Sequence, residues 1–110
     1  MKKFIFVACL SFAASAIAAP YSINIPTDQN ASYTVLDKGS RGAYKTIITK
    51  RVGSSGTSYS ERAYDCSAWE VKYLGTGDSI EAMNSSGEDP NMSPIVDRSI
   101  AYYVGREACK

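Results

Sequence analysis

The stretch RAYDCSAWEVKYLG, residues 62–75, decides how the rest of the chain is read. Trp69, Val71 and Tyr73 alternate with Glu70 and Lys72, the two-residue period of a strand with one buried face. Ser67 and Ala68 alone separate this run from the strand-like residues before it, so a tight turn follows Cys66. A single cysteine at the end of a strand then needs a partner. Cys109, one residue from the end, supplies it.

Upstream lies a hairpin. AYKTIITKRV (residues 43–52) and TSYSERAYDC (residues 57–66) are rich in Thr, Ile, Tyr and Val, and GSSG (residues 53–56) reverses the chain between them. Before it, SYTVLD (residues 32–37) has strand composition and is closed by KGSRG, while APYSINIPTDQN (residues 19–30) reads as an extended, partly ordered lead-in. Downstream, Gly75 and Gly77 bracket Thr76 and are expected to end the strand. Residues 78–83 fit a further short strand or a single helical turn, and NSSGEDPNMSP (residues 84–94) reads as a mobile loop.

The period changes after Pro94. Ile100, Tyr103, Val104 and Ala108 recur at spacings of three and four, with Arg98, Arg106 and Glu107 largely off that stripe, the pattern of an amphipathic helix. Asp97 or Ser99 can cap its N-terminus. Gly105 weakens it by ~1 kcal/mol relative to alanine, and so short a helix needs a tertiary anchor.

The N-terminus reads as a secretory signal peptide: Lys2 and Lys3, an apolar run from Phe4 to Leu10 and on to Phe12, then small residues from Ala13 to Ala19. Cleavage after Ala18 satisfies an Ala-x-Ala rule through Ala16 and Ala18. Phe6-Val7-Ala8-Cys9 loosely resembles a lipoprotein site, but the apolar run before Cys9 is shorter than the ~7 to 15 residues an h-region needs. With residues 1–18 removed, Cys66 and Cys109 remain and permit one pairing, in an exported compartment where disulfides persist. The bond closes a loop of about 44 residues, worth roughly 4 kcal/mol in the chain-entropy model. The mature chain is long enough for one small domain; of 12 basic residues it loses two, leaving it slightly acidic, which favours neither nucleic acid nor an anionic membrane.

Chemistry is sparse. The chain has no histidine, so the commonest general base and metal ligand are missing, and both mature cysteines are consumed. Asp78 with Glu81, and Glu88 with Asp89, are the closest acidic groupings, and neither has calcium-loop spacing. GTGD (residues 75–78) lacks the lysine of a phosphate loop and reads as a turn. Tyrosine is in excess, eight in all. Tyr64, Tyr73 and Tyr103 are assigned to the layer between sheet and helix; Tyr44, Tyr59 and Tyr102, with Lys45 and Arg51, form the candidate interaction surface. Lys45, Lys50, Arg51 and Arg62 read as part of a solvated sheet face, partly neutralised by Glu61 and Asp65.

RAYDC (residues 62–66), a strand after a tight turn, a polar loop with SPIV (residues 93–96), and a helix ending REAC (residues 106–109) together resemble the surface-adhesin protein E-like domain of Gram-negative bacteria. The resemblance covers roughly Tyr33 to Lys110. It implies an antiparallel meander with a C-terminal helix tethered to the concave face of the sheet by a disulfide. It also implies a role in binding host matrix and plasma proteins such as vitronectin and laminin. The family's namesake is lipid-anchored, whereas this chain carries an ordinary signal peptide.

The expectation is therefore an α+β domain over residues 32–110: an antiparallel β-meander of four to six strands with one C-terminal helix, stapled by Cys66–Cys109. Its expected role is that of an exported, non-enzymatic protein-binding domain, periplasmic or at the cell surface. The partner is a host matrix or envelope protein, or a second copy of the chain, with no cofactor, no metal, no nucleic acid and no membrane insertion of the mature form. The alternative is a periplasmic structural or stress accessory protein, or an inhibitor of an envelope enzyme. Cys66→Ser and Cys109→Ser should each lower stability by about the same amount, ~4 kcal/mol, and the double variant should be no worse than either, because the two residues act as one unit. Denaturant unfolding of the three variants checks this; additive losses would refute the bond.

Overall fold

The computed structural model describes residues 19–110, so the signal-peptide reading and Cys9 lie outside the described residues. Six strands form one antiparallel sheet in sequence order: β1 (Tyr21–Ile23), β2 (Ser32–Arg41), β3 (Tyr44–Gly53), β4 (Gly56–Asp65), β5 (Glu70–Gly77) and β6 (Ser93–Pro94). Two helices accompany it, α1 (Ile80–Ser85) between β5 and β6, and α2 (Ile100–Ala108) at the C-terminus. This is the expected α+β meander, at the upper end of the expected strand number.

Strand parity builds the core. Tyr33 and Val35 on β2 pair with Arg51 and Thr49 on β3, and Tyr64 pairs with Lys45, so Tyr33, Val35, Ile47 and Tyr64 share one face. Val104 and Ala108 of α2 cover that face, joined by Ile25, with Ile100 and Tyr103 packed at the margin. The apolar stripe read from the spacing of α2 is thus the buried one. Ser99, rather than Asp97, caps the helix, its Oγ accepting from the Tyr102 N–H at 3.1 Å.

Tyr64 is the centre of this layer. It is fully buried, and its hydroxyl donates to the Ala101 carbonyl at 2.7 Å. Its ring lies so close to α2 that a Cβ on Gly105 would sit 2.6 Å from Tyr64 Cε1. The glycine that looks like a weakness in the helix is what allows the helix to reach the sheet. Beyond it, Cys109 caps α2 and bonds Cys66, which follows β4, with Cα atoms 5.8 Å apart.

Elsewhere the structure departs from expectation, each time because tertiary pairing outweighs local composition. The lead-in is part of the sheet: β1 pairs with β2 through Tyr21↔Val35, and Ile25 is only 3 % exposed, so the packed unit begins before Ser32. β2 runs on through Lys38 to Arg41, and the chain reverses at Gly42, whose φ is 61°. β5 likewise continues through Gly75 and Gly77. Both glycines lie where α1 crosses the opposite face; a Cβ on Gly77 would come 2.6 Å from Ala82 Cβ, and one on Gly75 would overlap the Met83 carbonyl. Residues 75–78 are therefore strand and its exit, not a turn, and residues 80–85 are helical.

Trp69, counted in the alternation of β5, sits in the preceding turn with a φ of 58°. Asp65 holds that turn by accepting from the backbone N–H groups of Ala68 (2.9 Å) and Ser67 (3.1 Å), an arrangement that lowers its carboxyl pKa. The segment read as a mobile loop is anchored: Glu88 bridges Lys72 (2.8 Å) and Arg41 (2.9 Å), the Asp89 N–H donates to the Tyr73 carbonyl, and Ser93–Pro94 pairs with β5. Proline suits this place because β6 is an edge strand.

Gly105→Ala sets helix propensity against packing. Alanine favours the helix by ~1 kcal/mol, while forcing a methyl into a filled core costs about 1–3 kcal/mol. Equilibrium unfolding should show a net loss; a gain in stability would mean that α2 stands off the sheet.

Candidate functional site

The helix covers only part of the sheet face that carries the core. Past the first turn of α2, at Ile100, that face stays open and becomes polar, forming a cavity of about 210 Å³. Register explains the change. The inward positions that carry Ile47 and Tyr64 at one end carry Thr49 and Arg51 on β3, Ser58, Ser60 and Arg62 on β4, and Tyr73 and Thr76 on β5 at the other.

Two arginines frame this basin in different ways. The Arg51 Nε donates to Asp28 Oδ2 at 2.9 Å and to the Tyr33 hydroxyl at 3.1 Å, and Tyr33 itself donates to Asp28 at 2.6 Å. The hydrogen bonds from Arg51 and then Tyr33 lower the Asp28 pKa, while burial, followed by the bond to Asp28, pushes the Tyr33 hydroxyl up to about 12. Arg62 is 5 % exposed and has no carboxylate. Its Nη1 donates to Thr49 Oγ1 at 3.2 Å and its Nη2 to the Tyr73 hydroxyl at 3.1 Å, while the guanidinium lies 4.8 Å from the centre of the Tyr73 ring. Tyr73, assigned to the core layer from the sequence, is 40 % exposed because α2 stops short of it.

A larger, more open depression of about 610 Å³ separates β1 from the C-terminal half of α2. Its one carboxylate is already engaged, Glu107 accepting from the Tyr21 hydroxyl at 2.6 Å and from Lys110 at 3.0 Å, and its remaining cation, Arg106, is exposed to solvent beside the Tyr102 ring. Burial, then the bond to Glu107, pushes the Tyr21 hydroxyl up to about 12. The smaller basin is chemically the more demanding of the two, since it keeps a buried cation with an incomplete hydrogen-bond set.

The residues proposed as one interaction surface are not brought together. Tyr44 and Tyr59 lie on the opposite face of the sheet, where Lys50 is the cross-strand partner of Tyr59 and its Nζ stands 6.0 Å from that ring. Lys45 and Arg51 lie on the core face, Lys45 exposed at one end and Arg51 in the basin at the other. Tyr102 belongs to α2, edge-on to Trp69 and Tyr103. The solvated basic patch is corrected too: Arg62 is buried, and Glu61 and Asp65 fall on the other side of β4, so they do not neutralise it. Alternation outward from Tyr64 places Arg62 inside, a signal the sequence carries. Asp28 had no local signal at all.

Among the described residues, no three His, Cys, Asp or Glu side chains gather as a metal site, and Glu88 is occupied by Lys72 and Arg41. No family model, no curated protein and no solved structure matches this chain.

Asp28 supplies a pH test. Its folded-state pKa lies below the ordinary 3.8, so its contribution is complete above that value and is lost as pH falls through the folded pKa. Asp28→Asn should therefore lower Tm at neutral pH and make Tm less sensitive to acid than in the parent; thermal scans from pH 7 to 3 check both.

Proposed function

We propose that this chain is an extracytoplasmic, non-enzymatic domain that binds another protein by strand addition along β2. The observation that carries the reading is the outer edge of the sheet. β1 pairs only with Tyr33–Val35, so from residue 37 to residue 41 β2 has β3 on one side and no described strand on the other. A strand offers N–H and C=O groups on both sides, and an open stretch of this length is a template for an added strand. Asp37, Lys38 and Arg41 along it are exposed; charged side chains on an edge disfavour indiscriminate pairing, so selectivity rests on a strand of complementary charge.

The compartment agrees with this reading. The Cys66–Cys109 disulfide points to an oxidising environment outside the cytoplasm, and no described helix is long and apolar enough to cross a membrane. The resemblance to surface-adhesin protein E-like domains adds the partner class, host matrix proteins. The alternative, a periplasmic accessory protein or an inhibitor of an envelope enzyme, would use the same edge on a different partner.

Two measurements test the proposal. Protease treatment of intact cells should digest the protein; protection until the outer membrane is permeabilised moves the partner search to the envelope. Amide hydrogen exchange of the mature protein with vitronectin or laminin should then show slowed exchange across residues 37–41. Binding with protection confined to other segments would rule out the edge.

A further inference from the structure

Arg62 is the only charged residue that is buried among the described residues, and the fold gives it no counter-charge. A guanidinium stays ionised at any physiological pH, so burial cannot be relieved by losing the proton. Burying a cation without an anion is costly, and neutral hydroxyls recover only part of that cost. Both acceptors of Arg62, Thr49 and Tyr73, are neutral hydroxyls, and its Nε–H has no partner. Asp89 lines an adjoining cavity with Arg62 but forms no ion pair with it, accepting instead from the Tyr73 backbone N–H at 3.4 Å.

We propose that the basin over Arg62 is a binding site for a small oxyanion, either a carboxylate or a tetrahedral phosphate or sulfate group. The inference is independent of the β2 edge and rests on three features together. The first is the unpartnered N–H of a residue 95 % withdrawn from solvent, on a side chain whose flat fork suits two oxygens of one anion. The second is the lining: a second guanidinium from Arg51 and the hydroxyls of Ser58, Ser60 and Thr76, with no carboxylate among the lining side chains. Arg51 is already balanced by Asp28 from behind, so the uncompensated charge belongs to Arg62. The third is size. At about 210 Å³ the cavity is several times the ~30 Å³ share of a water molecule, enough for an oxyanion and part of its carrier.

The geometry also says how the anion is held. Tyr73 covers one side of the guanidinium and Thr49 ties down Nη1, so the side chain is fixed before the ligand arrives and little rotamer freedom is lost on binding. The hydroxyls can rotate to donate to whichever oxygens are presented.

The test is a titration of isotopically labelled mature protein with sodium phosphate and, separately, sodium acetate, both against sodium chloride at matched ionic strength. Nuclear magnetic resonance should show saturable shifts at the Arg62 Nε–H and at the amides of Thr49, Ser60 and Tyr73. At an anion concentration 100 times Kd, the folded state should be favoured about a hundredfold, read as a rise in Tm. Arg62→Gln should lose the rise, and Tyr73→Phe should weaken it if the glutamine variant does not fold. Saturation by phosphate alone assigns a tetrahedral anion; by acetate alone, a carboxylate; by both, a general oxyanion pocket. Shifts no larger than those in chloride, or saturable shifts away from Arg62, would overturn the proposal.

Discussion

The contact between Tyr64 and Gly105 sets the height of α2 above the sheet, and most of the molecule follows from it. A helix of nine residues has too few internal hydrogen bonds to hold in water, so it exists because one face is buried. The ring of Tyr64 occupies the space a side chain at 105 would need, its hydroxyl takes the Ala101 carbonyl, and Val104 and Ala108 close over Ile47 and Val35. The disulfide at Cys109 then removes the freedom of the C-terminal end to peel away.

Because α2 is short, it cannot cover the whole face. Where it ends, the inward positions of β3, β4 and β5 change from apolar to hydroxyl and guanidinium side chains, which need either water or a partner of their own. Arg51 has such a partner in Asp28, delivered by the segment between β1 and β2. Arg62 has aromatic and hydroxyl contacts only. Thus the same packing that places the core also leaves a cationic basin beside it, while the brevity of β1 leaves part of β2 without an outer neighbour. Each opening is the remainder of an element that stops early.

Much of the architecture was legible because it rests on short-range periodicity. The β3–β4 hairpin, the two-residue alternation of Val71 and Tyr73, the three-and-four spacing of α2 and the pairing of Cys66 with Cys109 can all be read without knowing which strands meet. The glycines are where composition misleads. Gly39, Gly75 and Gly77 have the composition of interruptions, yet they lie inside strands, and the last two are small because α1 crosses there. Composition reports that a glycine is present, whereas only packing reports what its missing side chain makes room for. The candidate surface failed for a related reason: Tyr44 and Lys45 are neighbours in sequence, and in a strand that puts them on opposite faces.

By itself, the sequence determined the α+β class, the order of the main elements and the disulfide that links the sheet to the C-terminal helix, since each depends on residue type and local period. Only the tertiary structure decided that β1 and Ile25 join the sheet, that Tyr73 is open rather than covered, and that Arg62 is buried without a carboxylate. Those outcomes depend on where elements end relative to one another in space. Burial and electrostatic pairing are properties of residues distant in the chain: Asp28 meets Arg51 across 23 positions, and Tyr64 meets Ala101 across 37.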